Sequence, residues 1–306
     1  MTNQIAVPTQ SSLIRGLIRA MRPKQWAKNV LVFVAPGAAG VLTERLPFFY
    51  AVFAFVCFSA ASAGTYLIND VLDLEADRRH PTKRNRPIAA GIVPVPVALV
   101  TAAVLIGAAV TFALWRTWQF GLVVALYVIL TTAYSTFLKH RPVLDLVGLA
   151  AGFILRLLGG AFAVEVEISD WFLVISCFGA LFIATCKRQA ERNELGEDAA
   201  SIRPTLGVYT DQYLGFLKSV SSGAVLIAYC LFAVERAREY SHAGHAAAAV
   251  WLELSIVPFV IAILRYALLV DQGKGSAPEE LLAEDREMQV IGLLWAVLVG
   301  ISVYAH

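Results

Sequence analysis

Long runs of apolar residues constrain this chain more than any other feature. Segments 26–43, 48–68, 92–114, 118–138, 143–164, 169–186, 213–234, 248–270 and 288–305 each hold few or no charged side chains. A helix of about 20 such residues crosses the hydrocarbon core of a bilayer. Inside that core every backbone N–H and C=O must be bonded within the protein, which leaves helices or closed barrels. These runs are too long and too continuously apolar for barrel strands. The expected fold is therefore an all-α integral membrane protein with nine transmembrane helices. The composition agrees: of 306 residues, 58% are hydrophobic and 16% charged, against about 25% charged in a soluble domain. A disordered chain, a disulfide scaffold and most water-soluble enzymes are excluded.

The formal net charge of +2 gives no ground for binding nucleic acid. The placement of the charges says more. Lys and Arg gather in cytoplasmic loops. One side would hold Arg15, Arg19, Arg22, Lys24 and Lys28, then Arg78, Arg79, Lys83, Arg84 and Arg86, then the loops after 138, 186 and 273. The other side holds Arg45, Arg116, Arg236 and Arg238. This predicts an inner (plasma) membrane protein with a cytoplasmic N-terminus and, after nine crossings, an external C-terminus. Most acidic residues fall on the same cytoplasmic side, as a site for a charged, water-soluble substrate requires. Residues 1–25 begin polar and then alternate apolar and basic side chains at helical spacing, which reads as an interfacial amphipathic segment on membrane lipid. Lys24, Trp26, Lys28 and Asn29 lie where it meets the first span and are candidates to face a site. The four cysteines lie in apolar runs or at the end of one, without CxxC or metal spacing. They read as small hydrophobes.

The chemistry concentrates at 66–77, Tyr-Leu-Ile-Asn-Asp-Val-Leu-Asp-Leu-Glu-Ala-Asp. If the second span continues through it as a helix, Asn69, Asp70, Asp73 and Asp77 share a face about 100° wide. Alone, such carboxylates repel. With Mg²⁺ they are a sensible ligand set, because Mg²⁺ takes one or two carboxylates plus water and substrate phosphate oxygens. The basic loop that follows, with Lys83, Arg84 and Arg86, suits the remaining oxygens of a diphosphate. A second polar loop begins at 187, where Lys187, Arg188 and Glu191 share a helix face. Span five places Asp145 and Arg156 on one stripe, with Arg156 roughly 16 Å beyond Asp145. An Arg at that depth faces a polar cavity or anionic ligand, or else closes an internal salt bridge. Tyr66, Tyr134 and Lys139 could line the same cavity.

The pattern Asn69-Asp70-x-x-Asp73-x-x-x-Asp77 at the end of span two, in a nine-span chain, resembles the first signature of the UbiA-type prenyltransferase superfamily. The resemblance extends from Arg22-Pro23 through the last span. It implies nine helices around a lipid-open central cavity. It further implies a catalytic domain over 26–306, with cytoplasmic loops 69–91 and 187–212 capping the site. Most relatives carry a second Asp-rich motif after span six; here Cys186–Glu194 is basic first and acidic second. With Arg22-Pro23-Lys24-Gln25-Trp26-Ala27-Lys28-Asn29, Tyr134-Ser135-x-x-Leu138-Lys139 and Gly152-Phe153-x-x-Arg156, this is similar to one branch, which moves phosphoribosyl from phosphoribosyl diphosphate to decaprenyl (polyprenyl) phosphate. The resemblance implies Mg²⁺ on Asn69, Asp70, Asp73 and Asp77. It implies substrate contacts from Lys24, Lys28, Asn29, Tyr66, Lys83, Arg84, Arg86, Tyr134, Lys139, Arg156, Lys187, Arg188 and Glu191. Two other readings remain: prenyl transfer to an aromatic acceptor, and a transporter with a midplane ion site. The Gly-rich spans leave packing within one chain and packing between copies, as a homo-oligomer, both open.

Overall fold

The computed structural model describes residues 10–196, 204–274, 281 and 284–304. The polar N-terminus at 1–9 and residues 197–203 of the second loop lie outside them. Among the described residues the regular structure is helical throughout. Among the described residues, eight helical stretches are long and apolar enough to cross a membrane: Arg45–Leu72, Val95–Arg116, Trp118–Thr136, Leu144–Val164, Asp170–Leu195, Asp211–His242, Ala246–Asp271 and Arg286–Tyr304.

The expectation of nine long helices is corrected at its first member. Residues 26–43 do not form a continuous α-helix. A 3₁₀ helix runs Pro23–Phe33, followed by a five-residue α-helix, Val34–Ala38. Pro36 has no N–H to offer the Val32 carbonyl four residues back, so an unbroken α-helical ladder cannot pass through it. The segment 248–270 is also not one regular helix, since Ala246–Leu254 and Ile256–Asp271 meet at Ser255.

The chain divides into two compact units. The first comprises Met1–Pro36, Val41–Thr136 and Leu155–Val166. It contains α1 (Gln10–Ala20), the first three residues of α2 (Val34–Ala38), α3 (Arg45–Leu72), α4 (Leu74–Arg79), α5 (Val95–Arg116), α6 (Trp118–Thr136) and the second half of α7 (Leu144–Val164). Its main core joins Phe58, Phe120, Val124 and Tyr127 to Val32 and a series of alanines. Small residues allow these helices close approach, which is how helices associate where lipid removes the hydrophobic drive. Gly160 is the tightest case: a Cβ there would lie 1.8 Å from the Val32 carbonyl oxygen. Gly160→Ala must push the 3₁₀ helix away, and a loss of about 1–3 kcal/mol or more is expected. A thermal unfolding midpoint equal to the parent protein's would contradict this.

A smaller core seats α1. Ala20, with Leu13 and Leu17 beside it, packs with Leu67, Ile88, Val93 and Ala98. Ile14 and Ile18 on α1 stay half exposed, next in sequence to the exposed Arg15 and Arg19. That is the amphipathic pattern read in the sequence.

The second unit comprises Gly37–Gly40, Phe137–Ile154 and Glu167–His306. Helix α8 (Asp170–Leu195) packs along Asp211–His242. Both start on side-chain caps: Ser169 Oγ accepts from the Phe172 amide and Thr210 Oγ1 from the Tyr213 amide. Such caps satisfy amides with no partner in the first turn. The break at Ser255 is closed by its own hydroxyl. Ser255 Oγ donates to the Leu252 carbonyl at 2.6 Å and meets Tyr229 Oη at 2.7 Å, which also accepts from Trp295 Nε1. A hydroxyl returning to its own preceding turn bends a helix in this way.

Candidate active site

The acidic stretch does not continue α3 as one helix. Helix α3 ends at Leu72, and Asp73 leaves helical geometry at φ −87°, ψ 5° before α4 begins. Two backbone bonds carry the register across the break, Asp73 N–H to the Asn69 carbonyl and Asp77 N–H to the Asp73 carbonyl. Asp70 and Asp77 thus stay on one side, as seven residues at helical pitch require. Both are nearly fully buried, at 2% and 3% exposure. Asn69 and Asp73 are half-buried at the break.

The basic loop then turns back. His80 and Arg86 each precede a proline and each is extended, the conformation a following proline imposes. Arg86 returns to the carboxylates: its Nη1 lies 2.7 Å from Asp77 Oδ2 and 3.3 Å from Asp70 Oδ1. A second guanidinium, Arg22 Nη2, pairs with the same Asp70 Oδ1. Arg22 also precedes a proline, yet adopts the left-handed region at φ 54°, ψ 63°. For a residue with a Cβ this is a costly conformation, of order 1–3 kcal/mol, which persists where surrounding contacts impose it. Here the backbone is bonded on both sides, N–H to the Arg19 carbonyl at 3.2 Å and carbonyl to the Gln25 amide at 2.9 Å, while the side chain pairs with Asp70 and its guanidinium carbon lies 4.9 Å from the Tyr66 ring centroid.

Between these elements lies a cavity of about 290 Å³ lined by Arg19, Ala20, Arg22, Asp70, Thr82, Lys83, Asn85, Arg86 and Pro87. Four cationic side chains and one carboxylate face it, so it is shaped for a multivalent anion. Of the basic residues singled out in the sequence, Lys83 and Arg86 line this cavity. Arg84 is exposed on the same short turn and does not line the cavity; Lys24 is also exposed and outside the lining, and Lys28 is half-buried.

Asn29 and Arg156 form a separate buried network in the same unit. Arg156 Nε donates to Asn29 Oδ1 at 2.7 Å, and Nη2 to Tyr127 Oη at 2.8 Å. Asn29 Nδ2 donates to Ser59 Oγ at 3.1 Å. Tyr134 lies half-buried near the end of α6.

The second unit has its own polar cluster. Arg188, 1% exposed, grips the fully buried Asp145 with two bonds, Nε to Oδ2 at 2.6 Å and Nη2 to Oδ1 at 2.9 Å. Its Nη1 pairs with Glu191, and Lys187 Nζ lies 4.0 Å from the same carboxylate. The Asp145–Arg156 stripe is therefore divided: Asp145 binds Arg188, and Arg156 binds Asn29 and Tyr127. Val143, at the start of α7, has φ 68°, unusual for a β-branched residue. Its amide donates to Tyr209 Oη at 2.9 Å. Burial pushes the Tyr209 phenol above its ordinary value, against the opposite pull of that bond. Lys139 lies on a short 3₁₀ turn whose carbonyl accepts from Thr205 Oγ1 at 3.3 Å.

Sequence reasoning did not single out Arg19, Arg22, Thr82 and Asn85 as candidates, although they line the cavity, nor Tyr209, which holds the Val143 amide. Arg22 carried a signal, an Arg immediately before Pro at the end of an amphipathic helix. Tyr209 carried none.

The profile of the UbiA prenyltransferase family matches residues 30–291. This chain belongs to the UbiA prenyltransferase family. It is a multi-pass membrane protein, as the apolar helices already required. It is 41% identical over 298 residues to the decaprenyl-phosphate phosphoribosyltransferase of Corynebacterium glutamicum, spanning 96% of this chain and 88% of that one. To the enzyme of the same name from Mycobacterium tuberculosis it is 40% identical over 308 residues, spanning 99% of each. A UbiA homolog from Archaeoglobus fulgidus bound to GPP and Mg²⁺ has a TM-score of 0.67 at 18% identity, covering 95% of this chain and 100% of its own. The same homolog bound to Cd²⁺ scores 0.64, with the same coverage of each chain. These structures share this chain's fold.

Among the described residues, no group of three or more His, Cys, Asp or Glu side chains is placed to hold a metal ion. Mg²⁺ does not need one, since it is usually held by one or two carboxylates with water and substrate phosphates completing its shell. Asp70 and Asp77, hard oxygen donors joined through Arg86, fit that demand.

Proposed function

We propose that this chain transfers the 5-phosphoribosyl group from phosphoribosyl diphosphate to decaprenyl (polyprenyl) phosphate, releasing diphosphate. The observation that carries the reading is the cavity lining. Arg19, Arg22, Lys83 and Arg86 surround a space that a diphosphate can enter, and guanidinium forks match phosphate oxygens in pairs. The names of the full-length relatives supply the reaction. The acceptor phosphate is already an anion, so its oxygen attacks ribose C1 without a general base, and the bond from C1 to the diphosphate oxygen breaks. Catalysis is then positioning and stabilisation of charge on the leaving group. Asp70 and Asp77, with Asn69 and Asp73 beside them, would hold Mg²⁺, which would supply charge neutralisation for the diphosphate. Lys83 and Arg86 bind the phosphate oxygens. Tyr66 keeps Arg22 in place, and Asn29 and Tyr127 hold Arg156. The loop 69–91 closes the cavity on its water-facing side, and α1 lies in the lipid interface.

The test uses purified full-length protein in detergent with phosphoribosyl diphosphate, a polyprenyl phosphate and Mg²⁺. Mass spectrometry should find the ribose 5-phosphate lipid, and a chelator should remove it. Turnover of a prenyl diphosphate with an aromatic acid instead would overturn the assignment.

The same reading puts the N-terminus and the cavity on the cytoplasmic side of the inner membrane. With the apolar run 26–43 as a ninth crossing, the C-terminus is external. A cysteine placed after Tyr304 should react with an impermeant thiol reagent in intact cells; protection until the cells are broken would refute the topology.

A further inference from the structure

One carboxylate oxygen, Asp70 Oδ1, receives both Arg22 and Arg86, and Arg86 also holds Asp77. We propose that Arg22 and Arg86 are exchangeable counter-ions, which occupy the carboxylates until a divalent cation and its phosphate ligand arrive and then transfer to that phosphate. The inference rests on reading the cavity as a metal–diphosphate site.

Several observations favour exchange over a permanent bond. Both guanidiniums line the cavity and retain 27–29% side-chain exposure, while the carboxylates they hold are almost wholly buried. The arginines therefore have somewhere to move, and the carboxylates do not. Arg188 in the second unit is the contrast: it grips Asp145 through two bonds and is 1% exposed, a fixed pair. Arg22 itself sits at a helix end in the left-handed region, its N–H bonded to the Arg19 carbonyl and its carbonyl to the Gln25 amide, so its backbone stays fixed while the side chain is free to swing. A cation that competes for an oxygen must weaken metal binding when no phosphate is present. It must strengthen it when a phosphate draws the arginine away. Metal and phosphate then bind with positive coupling, and both ligands gain by the same factor.

Arg22 and Arg86 are positioning residues in this scheme, acting on the metal through Asp70 and Asp77. The test is Mn²⁺ titration of the full-length protein in lipid nanodiscs without any phosphate compound, followed by electron paramagnetic resonance. Arg22→Gln and Arg86→Gln should each bind Mn²⁺ about tenfold more tightly than the parent, the scale of removing one like charge near the ion. Arg22→Lys, which keeps the charge, should bind as the parent does. Asp70→Asn should lose the site. Unchanged or weaker Mn²⁺ binding in both Gln variants, with Asp70→Asn still defective, overturns the exchange and leaves the site assignment standing. Mn²⁺ binding that Asp70→Asn does not alter overturns both. A merely structural role for Arg22 predicts weaker binding on its removal, the opposite sign.

Discussion

Asp77→Ala is expected to reduce phosphoribosyl transfer by about 10²–10³-fold while the protein still folds. Asp77 sits on the short helix α4, beyond the main core of its unit, and its described ion pair is with Arg86. Arg86 keeps Asp70 when Asp77 is lost, so no buried cation is stranded. The change removes one of the two carboxylates that fit Mg²⁺ and leaves the cationic wall intact. Lipid product measured by mass spectrometry, beside the thermal unfolding midpoint in detergent, decides the matter. Near-normal turnover would remove Asp77 from the site; a collapsed midpoint would make its role structural.

Arg188→Ala should do the reverse, acting first on stability. It leaves Asp145 as a fully buried carboxylate without its two-bond partner, and breaking a buried pair from one side costs about 3–5 kcal/mol. Replacing both members together, Arg188→Met with Asp145→Leu, should recover most of that loss, since an apolar pair of similar volume is often as stable as the ion pair. Activity separates two roles. If the double variant folds and turns over normally, the pair serves only the scaffold. If it folds and is inactive, the guanidinium contributes charge to the reaction. An unchanged midpoint for Arg188→Ala alone would refute the energetic argument.

The membrane class was legible because hydrocarbon allows few solutions: an uncharged run of 20 residues has little choice but a helix. Asp70 and Asp77 were legible for a related reason, as a seven-residue separation survives even the break at Asp73. The break itself was not, since nothing at 69–77 resembles Gly or Pro. The winding of the first span was not legible, because an apolar run reports burial in lipid and not which type of helix carries it. Asp145 and Arg156 lie on one stripe of one helix, and sequence periodicity could not say that they would be bound to different neighbours. Tyr209 and Val143 meet across 66 positions, beyond the reach of any local pattern.

The contact between the 3₁₀ helix and α7 works like two gears of unequal tooth count. Asn29 meets Arg156 and Val32 meets Gly160, three residues on one side against four on the other. Three residues of 3₁₀ helix advance about 6 Å, and four residues of α-helix also advance about 6 Å. The two registers coincide only because the helices differ in type. Were Pro23–Phe33 α-helical, its three residues would advance about 4.5 Å and one of the two meshings would slip. The winding of this segment is thus a dimension of the protein, fixed by its neighbour's pitch.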